Sequence, residues 1–317
     1  MNKWLRRILI ALALLAVIGG GAYYWLIVES GTPADTYAID MKEVRRLSDT
    51  IAGPRVTAIH VEHVASFTFP RTAVLAGDGW DKLPMTIFAY KLVFADLSSG
   101  LIDTAVTARG AAQMGAALDA ASAQSVRGAI KFAKFIVVTH EHADHIGGLL
   151  GFVFLHAEMQ SGRVMLNAEQ FANLARYNPG YHSEAFAGYK PITYGKYLAI
   201  APGVVLIRAA GHTPGSQMVY VKTASGQEYL FTGDVAWTMR NIDQVRERAR
   251  LVTWWFLGED RDAVLAQLKA LNALKAAEPN LHIVPGHDPL AVTALEDKGL
   301  LIKRFPDMGP ITAGPGG

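Results

Sequence analysis

Cysteine is absent from this sequence of 317 residues. Its absence excludes disulfide bridges, thiolate metal ligands and a thiol nucleophile. Any metal chemistry must therefore use imidazole and carboxylate side chains, which are the other protein groups that bind zinc well. The missing cysteines do not assign a cellular compartment, because an exported protein can also lack disulfides.

Charged residues are also scarce: they make up 18% of the chain, whereas 51% of the residues are hydrophobic. This composition excludes a disordered chain and provides enough apolar surface for a large core. The 30 basic and 28 acidic side chains leave a net charge of +2, and no run of Lys or Arg forms a stripe that would bind a phosphate backbone. We expect no nucleic-acid partner and one catalytic domain at residues 33–317, of unknown oligomeric state.

A long uncharged segment, Ile8 to Val28, follows three basic residues near the N-terminus. As a helix with a rise of ~1.5 Å per residue it would span roughly 30 Å, the thickness of a bilayer's hydrocarbon layer. Tyr23, Tyr24 and Trp25 would lie at the far interface, and the positive-inside rule places the domain outside the cytoplasm, in the periplasm of a Gram-negative cell. We interpret residues 1–32 as a transmembrane anchor and linker; the alternative is a cleaved signal peptide and a secreted domain.

Hydrophobic patterns predict strands and helices along the remaining chain. Strands are expected at Val56–Val64, Thr72–Ala76, Ile87–Ala95, Leu101–Val106, Phe135–Thr139, Val204–Arg208, Met218–Lys222, Tyr229–Thr232 and His282–Val284. Helices are expected at Met41–Ser48, Ala111–Ala133, Ile146–Met159, Arg240–Leu251 and Arg261–Ala277. Strand runs followed by helices occur twice, which predicts two sheets packed face to face with helices outside.

Three histidines and an aspartate lie close together directly after the apolar strand predicted at Phe135–Thr139. The segment reads Thr139-His140-Glu141-His142-Ala143-Asp144-His145. Imidazole and carboxylate are the ligands that Zn²⁺ accepts when thiolate is missing, and a catalytic zinc site keeps an open position for water. The alternative is a polar loop with chance histidines, which this density of ligand types disfavours.

Three more candidate ligands follow apolar strands on glycine-containing turns: His212 in Gly-His-Thr-Pro-Gly, Asp234 in Thr-Gly-Asp and His287 in Pro-Gly-His-Asp. Such turns let the backbone approach a metal closely while the sheet fixes the geometry. In type and order, all these residues resemble the metallo-β-lactamase superfamily, with its HxHxDH motif and its later His, Asp and His ligands. The resemblance extends from roughly residue 56 to residue 287.

The resemblance implies an α/β (α+β) fold built as a four-layer αββα sandwich, with two Zn²⁺ ions per chain. By position in the motif, the first metal would be held by His140, His142 and His212, the second by Asp144, His145 and His287, and Asp234 would bridge them. The pair of metals would present hydroxide to a carbonyl or phosphorus centre. Asp144 would then be the catalytic carboxylate that orients the hydroxide and passes its proton to the leaving group.

Other residues are candidates for supporting roles. Asp103, in Leu-Ile-Asp-Thr-Ala, is similar to an early strand-end motif of the superfamily in which an Asp orients a ligating His, although glycine is more common than Ala105 there. Asp96 competes for that role. Trp237 stands where related lactonases tend to have a tyrosine that contacts substrate.

The segment from Arg176 to Tyr197 is rich in tyrosine and includes Tyr181, which we take as a candidate substrate contact. It resembles an active-site lid or wall; a packed surface loop is the alternative that we favour. The alternating Arg246, Arg248 and Arg250 are expected to face solvent.

The resemblance favours hydrolysis of a lactone or related carboxylic ester as the reaction on a small-molecule substrate. β-Lactam hydrolysis is less favoured because β-lactamases of the superfamily usually lack a bridging Asp, and a thioesterase of the glyoxalase type acts on chiefly intracellular conjugates. An oxidoreductase alternative comes from persulfide dioxygenases, which share the Thr-His-x-His-Ala-Asp-His string and use one iron. A non-catalytic binding module is the third hypothesis.

Overall fold

A computed structural model of the chain describes residues 2–152 and 155–306. The helices are α1 Lys3–Tyr23, α2 Met41–Ser48, α3 Arg71–Val74, α4 Ala108–Gln113, α5 Ala120–Phe132, α6 Ala143–Leu150, α7 Leu155–Gln160, α8 Ala168–Tyr177, α9 Met239–Gln244, α10 Arg250–Val252, α11 Arg261–Ala277 and α12 Pro289–Asp297. The strands are β1 Val56–Pro70, β2 Lys82–Phe94, β3 Ser99–Ile102, β4 Ala117–Leu118, β5 Phe135–Val137, β6 Tyr197–Ala201, β7 Val204–Arg208, β8 Gln217–Lys222, β9 Glu228–Gly233, β10 Leu281–Pro285 and β11 Ile302–Lys303.

The strands form two sheets. The first has the order β11-β1-β2-β3-β5, with β4 also paired to β1, and the second has the order β10-β9-β8-β7-β6. β3 and β5 run parallel at one edge of the first sheet, and β9 and β10 run parallel at one edge of the second. Because parallel neighbours end on the same side, the C-terminal ends of two adjacent strands lie side by side in each sheet.

Alternating side chains of each strand divide the core into layers. In β2, Phe88 and Tyr90 belong to the cluster between the two sheets, whereas Ile87 and Ala89 pack with α5 and α6 on the outer face. The outer face of the second sheet is covered by α2 and α11, and α11 buries leucines at three-residue spacing, Leu265, Leu268, Leu271 and Leu274. The order helix, sheet, sheet, helix is the αββα sandwich that the family resemblance implies.

The N-terminal helix α1 continues as a π-turn over Tyr24–Val28. Over Lys3–Val28 it is long and apolar enough to cross a membrane. None of the residues of α1 is buried against the rest of the protein. An apolar N-terminal helix of this kind can be a signal anchor or a signal sequence.

Several predicted elements agree with the structure to within a residue or two, including α2, β7, β8, β9 and α11. The strand predicted at Thr72–Ala76 is wrong, because Pro70 lacks an amide hydrogen and ends β1, and the chain turns into α3. The helix predicted at Ala111–Ala133 is interrupted, because Gly115 adopts a left-handed conformation and Asp119 caps a new helix by accepting a hydrogen bond from the Ser122 amide.

Two further helix predictions were too long. The helix expected at Ile146–Met159 ends at Leu150, beside Gly151, and part of the predicted range lies outside the described residues. The helix expected at Arg240–Leu251 ends at Gln244, where Val245 has a φ of 46°. The sequence interpretation also missed β6, α8 and α12.

Candidate metal centre

The candidate ligands meet at one edge of the sandwich because each follows the end of a strand. The His140 to His145 segment follows β5, Asp234 follows β9, and His287 follows β10. His212 lies in the turn between β7 and β8. Strand ends that point to one edge therefore bring together residues that are up to 147 positions apart in the chain.

The first group consists of His140, His142 and His212 with Asp234. The Nδ1 atom of His142 lies 3.0 Å from Nε2 of His140 and 3.0 Å from Nε2 of His212. Asp234 Oδ2 lies 3.4 Å from the same nitrogen of His212. Three imidazole nitrogens and one carboxylate oxygen thus surround one point.

The second group consists of Asp144, His145 and His287 with the other oxygen of Asp234. Asp234 Oδ1 lies 3.3 Å from Nε2 of His145 and 3.2 Å from Nε2 of His287. Asp144 Oδ2 is 3.4 Å from Nε2 of His287 and 3.8 Å from Nε2 of His145. The structure therefore brings together all seven side chains that the sequence pattern singled out.

Asp234 connects the two groups, one oxygen facing each. Its Oδ1 atom is buried and has no hydrogen-bond partner among the residues that the structure describes. An unpaired buried carboxylate oxygen is costly, and a bound cation would satisfy it. Ring nitrogens 3.0 to 3.4 Å apart that converge on one another also fit a shared cation better than a set of mutual hydrogen bonds. The donor set therefore fits two zinc ions.

The two groups differ in the protonation that their surroundings favour. Burial, reinforced by neighbouring imidazoles, holds the pKa of His140 and of His142 well below the usual range. Burial also opposes a charge on His145 and His287, but the carboxylates around them, Asp234 foremost, raise the pKa of both. Burial raises the pKa of Asp234 less than the adjacent imidazoles lower it, and the net pKa lies well below its usual value. The surroundings therefore favour the metal-binding forms, a neutral imidazole and an ionised carboxylate, at His140, His142 and Asp234.

Asp103 orients the second group. Its Oδ2 atom lies 2.8 Å from Nδ1 of His145, and its Oδ1 atom accepts a hydrogen bond of 2.6 Å from the Thr139 amide. The competing candidate, Asp96, instead forms an exposed ion pair with Lys134. Asp103 and Ala105 have φ values of 60° and 55°, which explains why glycine would suit the second of these positions.

His212 has a partner that the sequence interpretation did not find. Glu259 Oε2 lies 2.8 Å from Nδ1 of His212, and the same oxygen accepts a hydrogen bond of 3.0 Å from Nε of Arg248. Arg248 also donates to the carbonyl oxygen of Asp234 at 2.6 Å. The expectation that Arg248 faces solvent was wrong: its side chain is fully buried because Glu259 and this carbonyl pair with it.

A pocket of about 330 Å³ opens in front of the two groups. His142, Asp144, Asp234 and His287 lie at its base. Its walls are mostly apolar, with one charged side chain, Arg176: the others are Phe67, Phe69, Met114, Tyr177, Trp237, Phe256 and Leu257. This volume is at the lower end of the range for small-molecule sites. The pocket thus combines an apolar wall with a polar base.

The two candidate substrate contacts have different positions. Trp237 lines the pocket, but its indole nitrogen donates a hydrogen bond of 2.7 Å to Asp234 Oδ2 and so faces the ligands. Tyr181 lies outside the pocket lining and packs edge-on against Phe186. Tyr177 lines the pocket instead: its ring packs 4.6 Å from that of His142, and its buried hydroxyl has no hydrogen-bond partner among the described residues.

A family model described as the metallo-beta-lactamase superfamily matches residues 99–287, which is more than half of the chain. The chain belongs to the metallo-beta-lactamase superfamily. The match includes Asp103 and all seven candidate ligands, and the fold and geometry described above are consistent with it.

Known superfamily members similar to this chain include several lactonases. An N-acyl homoserine lactonase from a Bacillus species is 28% identical over 162 residues, which is 49% of this chain and 55% of the lactonase. The chain thus spans about half the length of the curated relatives it matches.

Solved structures show the same fold. The structure of a quorum-quenching N-acyl homoserine lactone lactonase has a TM-score of 0.58 and 18% identity, and the match covers 76% of this chain and 95% of that one. The structure of a dizinc quorum-quenching lactonase with bound product has a TM-score of 0.50 and 15% identity, and the match covers 76% and 92% of the two chains.

Proposed function

We propose that this superfamily member is a two-zinc hydrolase that opens lactones or related carboxylic esters. The observation that carries the proposal is the buried Asp234 carboxylate, which faces three histidines with Oδ2 and two with Oδ1, the latter oxygen lacking a hydrogen-bond partner. The similar proteins named above support the substrate class, since their names describe lactone hydrolysis.

Seven side chains would hold the metals: His140, His142, His212, Asp144, His145 and His287, with Asp234 between the two sites. Two zinc ions bound there would lower the pKa of a water molecule and polarise the carbonyl group of the ester. The far nitrogens of three of these rings donate hydrogen bonds that orient them: His145 to Asp103, His212 to Glu259, and His287 to the Thr86 carbonyl.

Asp144 is the carboxylate best placed to move a proton. It lies at the base of the pocket, in the first turn of α6, and its side chain is 13% exposed, more than that of Asp234. As a carboxylate it can accept the proton of the attacking water. It can then donate that proton to the alkoxide oxygen that leaves when the C–O bond of the ester breaks, so that a lactone yields a single hydroxy acid.

The pocket walls suit an ester with an apolar chain. Phe67, Phe69 and Leu257 offer apolar surface, and the phenol of Tyr177 and the guanidinium of Arg176, which also lines the pocket, are donors for a polar atom of the substrate. The indole of Trp237 bonds to Asp234 and leaves this role to these two side chains.

The N-terminal segment is proposed to be a membrane anchor that holds a single catalytic domain, residues 33–317, outside the cytoplasm. The length and apolar composition of Lys3–Val28, and the basic residues before it, support this proposal.

The test uses the full chain purified in detergent, its metal content, and a substrate panel of lactones, aryl esters, thioesters, phosphodiesters and cephalosporins. We expect about two zinc per chain and fastest turnover of lactones or esters. Asp144→Asn should lower kcat by about 10²- to 10⁴-fold. His182→Ala is the control, because the His182 side chain is exposed and its partner, Glu184, is equally exposed.

Three results would reject the proposal. Fast turnover of a phosphodiester without lactone or ester turnover would reject the substrate class. One iron per chain with oxygen consumption would favour persulfide oxidation instead. Full lactone turnover by Asp144→Asn would reject its role in proton transfer.

A further inference from the structure

A cluster of exposed aromatic side chains lies beside the pocket. Trp254, Trp255 and Phe256, in the π-turn Thr253–Leu257, are 56%, 84% and 79% exposed. Large aromatic side chains seldom stay exposed in succession on a protein that contacts only water, and a contiguous apolar patch marks an interaction surface. We refer to residues 254–256 as the aromatic patch.

The aromatic patch contacts the end of the N-terminal helix. The rings of Trp254 and Trp25 pack edge to face with their centroids 4.9 Å apart. Exposed Trp80 extends the same surface, because its indole nitrogen donates a hydrogen bond of 3.2 Å to the Tyr23 hydroxyl. Since α1 has 21 residues, it spans roughly 31 Å and places Tyr23 and Trp25 where a membrane-spanning helix leaves the hydrocarbon layer.

The end of the N-terminal helix is bound to the catalytic domain, so the position of the aromatic patch along the helix axis is fixed. Arg250 forms an ion pair with Glu29 and lies over the ring of Trp25, 4.8 Å from its centroid. The Gly77 amide donates a hydrogen bond of 2.9 Å to the Ile27 carbonyl, and Arg246 donates to the carbonyl of Val28. These contacts hold the domain against the helix rather than at the end of a free tether.

The same turn forms part of the pocket wall. Phe256 and Leu257 line the pocket whose base carries His142 and Asp144. Phe256 is therefore both a pocket residue and the last member of the aromatic patch, so that the mouth of the pocket opens next to the patch.

We propose that the aromatic patch inserts into the interfacial region of the bilayer that α1 spans, so that the pocket takes esters whose acyl chain is dissolved in that bilayer. Tryptophan suits this position, because its ring is apolar and its N–H group can stay hydrated. The contact between Trp254 and the helix end places the patch at the depth of that interface and favours a lipid surface over a protein partner. The substrate half of this inference rests on the proposed ester hydrolysis, and the insertion half rests on the proposed membrane anchor.

The absence of cysteine allows a direct test of insertion. Trp255→Cys and, as control, Leu97→Cys each create a single site for a nitroxide label in the full chain, reconstituted in phosphatidylcholine nanodiscs. Leu97 is 86% exposed and precedes β3. It therefore lies at the end of that strand opposite to Asp103 and the candidate metal centre. We expect the label at 255 to be accessible to oxygen and protected from a water-soluble nickel complex, and the label at 97 to show the reverse.

A label at 255 as accessible to the nickel complex as the label at 97 would overturn the inference. Protection from both oxygen and nickel would also overturn it, because that pattern indicates burial against protein rather than lipid.

The substrate half is tested with a short-chain lactone in water and a long-chain lactone in vesicles. Trp254→Ser with Trp255→Ser should keep kcat/KM on the soluble lactone and lose about tenfold or more on the vesicle-bound one, because membrane affinity scales with inserted apolar area. Leu97→Ser should change neither value. Equal losses on both substrates, or no loss on either, would overturn the substrate half. No lactone turnover by the wild type would reject the proposed function, while the labels would still decide insertion.

Discussion

Glu259 offers the sharpest test of how the protein prepares the first group of ligands. Its carboxylate is fully buried and shared between Nδ1 of His212, at 2.8 Å, and the guanidinium of Arg248. Burial raises its pKa, but Arg248 and His212 together lower the pKa below the usual value, so the group is charged. Glu259→Gln keeps the size of the side chain and removes that charge.

Two separate losses are expected from Glu259→Gln. An orienting partner of a ligating histidine contributes about 10- to 100-fold in metal affinity, which corresponds to about 1.4 to 2.7 kcal/mol. The variant also leaves the buried guanidinium of Arg248 without its anion, a change that costs about 3 to 5 kcal/mol of folding free energy. The retained amide oxygen of Gln can still accept a hydrogen bond, so we expect a value near 3 kcal/mol.

The assays are zinc titration against a chromophoric chelator and denaturant unfolding of the zinc-free protein. Glu278→Gln is the matched control, because Glu278 pairs with Arg45 at the surface, where such a pair is worth less than about 1 kcal/mol. Adding Arg248→Met to Glu259→Gln removes the unpaired charge. It should therefore restore part of the stability while zinc affinity stays low.

A zinc dissociation constant for Glu259→Gln within about twofold of the wild-type value would refute the orienting role of Glu259. A stability unchanged from that of Glu278→Gln would refute the stabilising role of the buried ion pair.

Four more substitutions have expected outcomes. Gly148→Ala places a Cβ atom 2.0 Å from the Thr104 carbonyl oxygen, so denaturant unfolding should show a loss of about 3 kcal/mol or more. Gly128→Ala, in helix α5 with open space around it, should instead gain about 0.5 to 1 kcal/mol. Ala105→Gly relieves a left-handed backbone but loses a buried methyl group and chain rigidity, so its stability should change by less than about 1 kcal/mol. Tyr177→Phe should raise KM for a lactone by about 5- to 10-fold with unchanged zinc content, because it removes one hydrogen bond to substrate; an unchanged KM would contradict that contact.

The parts of the structure that could be predicted from the sequence share a physical basis. Candidate ligands such as His140 and Asp234 follow strand ends. The hydrophobic pattern locates the strand, and the sheet then fixes the position of the short turn that follows it. The helices α2 and α11 have the predicted bounds, and local contacts fix where each begins, since Asp40 and Asp260 accept hydrogen bonds from first-turn amides.

The parts that could not be predicted depend on contacts between distant segments. Arg248 lies in an irregular stretch and has alternating arginines on either side, which is a pattern typical of a solvated face. Only the fold brings Glu259 and the carbonyl of Asp234 to it. The sequence likewise singled out Tyr181, whereas Tyr177 lines the pocket, because the last turn of α8 decides which ring faces His142.

The indole of Trp237 helps to hold the Asp234 carboxylate that we propose as the bridge between the metals. The indole N–H donates to Asp234 Oδ2, and Arg248 both stacks over the indole ring, 4.6 Å from its centroid, and donates to the carbonyl of Asp234. A tyrosine at this position would have a single O–H group, which could donate to the Asp234 carboxylate or to the substrate but not to both. Asp234 is thus fixed through its side chain and its backbone by one stacked pair. Tyr177 also lines the pocket, and its buried hydroxyl has no hydrogen-bond partner among the described residues, so we propose this hydroxyl for the polar contact to substrate.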